Sequence, residues 1–107
     1  MSHASCPHIG AALDVLRERY RQINNEGFDT GHDDRHPEGE LARAASAYAF
    51  FGSLTGYARA AMAEEFPEDW PFSADWWKPT DRRGDLIKAA ALIIADIERI
   101  DRTEGRA

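Results

Sequence analysis

The chain has 107 residues and a mass of 12.0 kDa, the length of one domain and too short for two independent cores. With 43% hydrophobic and 30% charged residues, it is neither a mainly disordered nor a collagen-like sequence, and no apolar run approaches the about 18 residues of a membrane span. Nineteen acidic against 13 basic residues give a net charge of -6, which opposes contact with nucleic acid or an anionic membrane outside a local basic patch. The single cysteine, Cys6, excludes an internal disulfide framework, and the start MSHASCPH lacks the basic and apolar regions of a secretory signal. The expected setting is a reducing cytoplasm.

Three amphipathic stretches predict an all-α domain. Ile9, Leu13, Leu16, Tyr20 and Ile23 recur in steps of four and three, one side of a first helix. Asp14 with Arg17 and Glu18 with Arg21 form its solvated face, and Asn24, Asn25 and Gly27 stop it near Glu26. After a polar stretch, Pro37 marks the start of a second helix with Glu38 and Glu40 in a first turn that favours negative charge. Its stripe is Leu41, Ala44, Ala45, Tyr48, Phe51 and Leu54, with alanines that allow close helix approach. Gly52, Ser53 and Gly56 weaken its middle, so this helix is bent or divides in two before Met62 and the Phe66-Pro67 pair, giving three or four helices in all.

The segment from Pro67 to Pro79 reads PEDWPFSADWWKP and carries every tryptophan of the chain; no regular helix fits it. Asp81 then caps a third helix, with Asp85 in its first turn and Leu86, Ala90, Ile93, Ile97 and Ile100 as core or as an oligomer interface. The whole of 1–107 reads as a single helical domain with residues 1–7 and 103–107 flexible.

The chain resembles a family of short phage- and prophage-encoded proteins through EGF at Glu26 to Phe28, HDDRHPEGELARAASAYA from His32, WPF from Trp70, and WWKPTDRRGDLIKAAALIIADIERIDR from Trp76. Phe28 stands where the family pattern has tryptophan, and Phe50 to Glu65 follows no such pattern. The resemblance implies a phage origin and action inside a bacterial cell, where genes of this size encode inhibitors, decoys and ligand-sequestering proteins. EGFDTGHDDRHP is also similar, more loosely, to the repeat domain first described in ryanodine receptors.

Two clusters carry chemistry. His32, Asp33, Asp34, His36 and Glu40 place two imidazoles and three carboxylates within nine residues. Four of them, His32, Asp33, His36 and Glu40, suit a divalent metal that could activate water against a phosphate ester; helix capping by Asp33 or Asp34 and a helix-dipole role for the glutamates account for the same residues. Trp76, Trp77, Lys78, Arg82, Arg83 and Lys88 join broad rings to the only dense positive charge in the chain. Rings stack on bases and arginines hold phosphates, with backbone N–H groups at the helix start as further anion donors. Alternatively, the tryptophans close the core while the cations pair with Asp75, Asp81 and Asp85.

The resulting expectation is a noncatalytic, phage-derived, oligomeric protein that binds a nucleotide-like or phosphorylated small molecule, possessing no membrane partner and little affinity for nucleic acid. Its pocket would use His32, Asp33, Asp34, His36 and Glu40 on one side and Trp76, Trp77, Lys78, Arg82 and Arg83 on the other. A metal-dependent phosphohydrolase and an inhibitor of a host protein are the alternatives.

Overall fold

The computed structural model describes residues 7–25 and 39–105. Within them lie four α-helices and no strand: α1 (Pro7–Asn25), α2 (Glu40–Ser53), α3 (Gly56–Met62) and α4 (Arg82–Thr103), with a single 3-10 turn at Ala74–Trp76. The domain is all-α, and no helix in the described residues is long and apolar enough to cross a membrane.

Helix boundaries follow local chemistry. Pro7 opens α1 two residues before its first apolar position, because the first turn has no use for the missing proline N–H. The second helix begins at Glu40, not at Pro37: Gly39 caps it at φ 82°, a left-handed conformation that a side chain would disfavour. It ends at Ser53, where Leu54 turns extended, so the long second helix divides into α2 and α3. Asp81 caps α4 as expected, its carboxylate accepting the Gly84 N–H at 2.7 Å. At the other end α4 runs through Thr103, and Glu104 and Gly105 return their N–H groups to Ile100 and Arg102. The helix thus takes in Thr103, the first residue of the tail expected to be flexible.

The core lies between α2 and α4. Leu41, Ala44, Ala45, Tyr48 and Phe51 of α2 are buried as their spacing predicts, against Ala89, Leu92 and Ala95 of α4. The α4 face differs from the expected one. Leu86, Ile93, Ile97 and Ile100 are exposed, and the buried side is built from alanines with Leu92 and Asp85. Alanines on both helices let the backbones approach closely, and the buried Asp85 carboxylate ties the start of α4 to Arg59 of α3. In α1 the same reversal occurs. Ile9, Leu16 and Tyr20 face outward, while Arg19 and Gln22 are buried. The α1 seat on α4 is polar: Arg19 sets Nε and Nη2 against Glu98 Oε1 at 3.0 and 2.8 Å.

An aromatic cage closes one end of this pair of helices. Trp70 is buried, with its ring 5.6 Å from Tyr48, 5.1 Å from Trp77 and 5.6 Å from Phe72. Its indole N–H donates to the Ser73 carbonyl at 2.9 Å, which ties the proline-rich connection to itself. The Tyr48 hydroxyl donates to Trp76 O at 3.3 Å and accepts the Lys78 N–H at 2.9 Å. Tyr48 thus fills the core while its polar end is satisfied by the connection.

Candidate functional site

A cleft of about 650 Å³ lies between α1, the connection at 78–80 and the first turns of α4. Its wall from α1 carries Asp14, Arg17, Glu18 and Arg21; the opposite wall carries Lys78, Arg83 and Lys88, with Pro79, Thr80, Gly84 and Ile87 between them. Five cationic side chains thus meet two carboxylates in a chain whose net charge is -6. This is the local basic patch that the overall charge otherwise lacks.

Helix spacing and the aromatic cage position these groups. On α1, Arg17 and Asp14 lie one turn apart with Nη1 to Oδ1 at 3.4 Å, and Arg21 forks onto Glu18 at 2.8 and 2.6 Å. Asp14 also accepts from Arg83 Nη2 at 2.7 Å, linking the two walls. Lys78 is placed by its backbone bond to Tyr48, and its ammonium stands 5.6 Å from the centre of the Trp76 ring. The Lys88 ammonium donates to the Lys78 carbonyl, which draws the two lysines to the same rim. Exposed guanidinium and ammonium groups at such a rim can exchange a carboxylate partner for a phosphate at little cost.

The neighbouring arginines do different work. Arg83 reaches into the cleft, whereas Arg82 turns to α2 and donates Nε–H to Gly52 O at 2.8 Å, covering a helix C-terminal carbonyl. The expected pairing of the cations with Asp75, Asp81 and Asp85 is replaced: Asp81 serves as the α4 cap, and Asp85 binds Arg59. Because Asp81 already accepts the Gly84 N–H, the start of α4 has lost part of its capacity for an external anion. The side chains, more than the helix end, supply the positive field.

Arg59, like Arg17 and Arg21, is a residue that sequence reasoning missed. It rises from α3, donates to Phe51 O at 2.8 Å, to Thr80 O at 3.0 Å and to Asp85 Oδ2 at 2.7 Å, and stacks 4.2 Å above the Phe51 ring. Asp85 has no exposed surface, and its second oxygen accepts the Thr80 N–H at 2.7 Å. Arg59 is the only cation within α3, and a lone arginine among alanines was the available signal.

Of the other predicted site residues, Trp77 packs at 4.6 Å from Tyr48 and 5.9 Å from Phe51 inside the cage. Trp76 is half-buried against the core and touches the site through Lys78. Neither ring lines the cleft. Glu40 opens α2 and is also outside the cleft lining. His32, Asp33, Asp34 and His36 lie outside the described residues. Among the described residues no group of three His, Cys, Asp or Glu side chains is placed to hold a metal ion.

Gly84 gives a test of the local geometry. A Cβ there would collide with Thr80 Oγ1 and come within 2.8 Å of Asp81 Oδ1, the capping atom. In an open helix, Gly→Ala stabilises by about 1 kcal/mol. Here Gly84→Ala is expected to destabilise by about 1 kcal/mol through loss of the cap, read as a lower urea midpoint with an unchanged slope. A raised midpoint would show that the cap is not formed in this way.

Comparison of the chain with family models, with curated proteins and with solved structures gives no match.

Proposed function

We propose that this protein binds a phosphorylated, nucleotide-like small molecule in the cleft between α1 and α4, without turning it over. The observation that carries the reading is the gathering of Arg17, Arg21, Lys78, Arg83 and Lys88 around one concavity of an otherwise acidic chain. Concave sites with a few converging polar groups are where small ligands bind, and flexible cations on rigid helices are the usual means of holding phosphate oxygens. The resemblance to phage-encoded proteins extends the proposal: the ligand is a host signalling nucleotide, bound and withdrawn in the bacterial cytoplasm.

Native mass spectrometry on gently purified protein tests this directly. A stoichiometric added mass of nucleotide size is the expected result, and the double variant Lys78→Ala with Arg83→Ala should lose it. Each charged hydrogen bond removed is worth about 1.5–3 kcal/mol, so the affinity should fall by at least about a hundredfold. The exposed Arg83–Asp14 pair contributes less than about 1 kcal/mol to folding, and the variant should melt within a few degrees of the parent. Retention of the added mass by the folded variant would remove the cleft from consideration. A bound metal without organic mass would instead favour phosphohydrolysis at the His32 to Glu40 cluster.

A further inference from the structure

The outward side of α4 is a continuous apolar ladder. Leu86, Ile93, Ile97 and Ile100 are 43%, 47%, 52% and 36% exposed, and Ala90 completes a repeat of four, three, four and three residues. Isolated exposed aliphatics are ordinary, but a row about 21 Å long on one helix, of which Leu86 rests partly on Gly52, is a surface suited to a further contact. The four large side chains leave roughly 300 Å² of apolar surface in water, enough for the centre of an interface of about 800 Å² per subunit.

We propose that this ladder docks on the same ladder of a second copy of the chain, with the two α4 helices antiparallel about a twofold axis at Ile93. The sequence of the ladder selects this occupant. Ile93 stands midway between Leu86 and Ile100, so in the antiparallel pairing Leu86 of one copy meets Ile100 of the other and Ile93 meets itself. Ala90 then comes within one residue, about 1.5 Å, of the level of Ile97, a small residue beside a large one, as interdigitating helix surfaces require. Charge agrees with the same orientation. Arg82 lies beside the ladder at the start of α4, and Asp101 and Glu104 lie beside it at the end. Antiparallel helices bring Arg82 of one copy beside Asp101 and Glu104 of the other; parallel ones would set those carboxylates against each other. A self-complementary patch is also what a twofold dimer uses.

The pairing is independent of any ligand in the cleft, and its test uses the protein alone. Sedimentation velocity from about 1 to 100 μM should show a species of twice the 12.0 kDa chain mass. Ile93→Glu together with Ile97→Glu should convert it to a monomer with unchanged helical circular dichroism, since both side chains point away from the core. In a Cys6→Ser background, Ile93→Cys should form an intermolecular disulfide on mild oxidation, as a residue on the axis must, while Leu16→Cys should not. A wild-type monomer at the highest concentration overturns the proposal. So does a dimer that survives both glutamates, or one that cross-links through Leu16→Cys and not Ile93→Cys, which would move the contact to the outward face of α1.

Discussion

Asp85→Ala is expected to destabilise the domain by about 3–5 kcal/mol, the range seen when one partner of a buried ion pair is removed. The Asp85 carboxylate is fully buried and receives two donors at 2.7 Å, the Thr80 N–H and Arg59 Nη2. Alanine would take the counter-charge from a guanidinium whose side chain is 18% exposed, leaving it the Phe51 and Thr80 carbonyls, and would remove the acceptor of the Thr80 N–H. For a domain of this length each kcal/mol corresponds to roughly 4 °C or more of melting temperature, so a drop of at least about 12 °C is anticipated. Asp85→Asn retains the volume and an acceptor for Thr80, and should lose about half as much. Replacing both partners, Arg59→Met with Asp85→Leu, removes the uncompensated charge but leaves the Thr80 N–H unmet. The double variant should therefore be more stable than the sum of the two single losses, with a residual cost of about 1–3 kcal/mol. Additive losses would show that the two side chains do not act as a pair, and a loss below about 1 kcal/mol for Asp85→Ala would show that the site is open to water.

The same residues explain what could be read from the sequence. Helical periodicity states which residues share a face, not which face meets a neighbour. The α2 stripe was legible because Leu41, Ala44, Ala45 and Tyr48 are both the apolar and the buried side. The α4 stripe was legible as a stripe, but its burial was not, because the seam to α2 is made of small residues and the charged Asp85 is buried through its bond to Arg59 of α3. Nothing local to Asp85 names Arg59 as its partner, 26 residues away on a short helix with no buried residue of its own. The site divides in the same manner. Lys78, Arg83 and Lys88 were visible as a charge cluster within one segment, whereas the opposing wall of Arg17 and Arg21 was read as an ordinary solvated face. Only the tertiary contact of α1 with α4 turns that face into half of a cleft. The two adjacent arginines were separable only by structure, since about 100° of helix rotation sends Arg82 to Gly52 O and Arg83 to Asp14.

Trp70 is where folding and the cleft are most closely joined. Trp70→Ala removes a buried ring that contacts Tyr48, Trp77 and Phe72, together with the indole bond to Ser73 O. Large aromatic truncations in cores cost about 3–5 kcal/mol, a large part of the 5–15 kcal/mol that holds an ordinary domain. This loss should also reach the ligand. Tyr48 is positioned by the same cage, and Tyr48 in turn holds the Lys78 N–H at 2.9 Å. Loosening the cage therefore frees Lys78, and with it the carbonyl that Lys88 grips. Trp70→Phe keeps most of the ring contact and deletes the indole N–H, so its stability loss should be about 1–2 kcal/mol, the value of one buried hydrogen bond and some packing. Urea unfolding followed by circular dichroism measures both losses, and nucleotide affinity at a temperature where each variant is fully folded measures the second effect. If Trp70→Ala at such a temperature bound the ligand as the parent does, Lys78 would be positioned by the backbone of the connection alone, and the cage would serve stability without shaping the cleft.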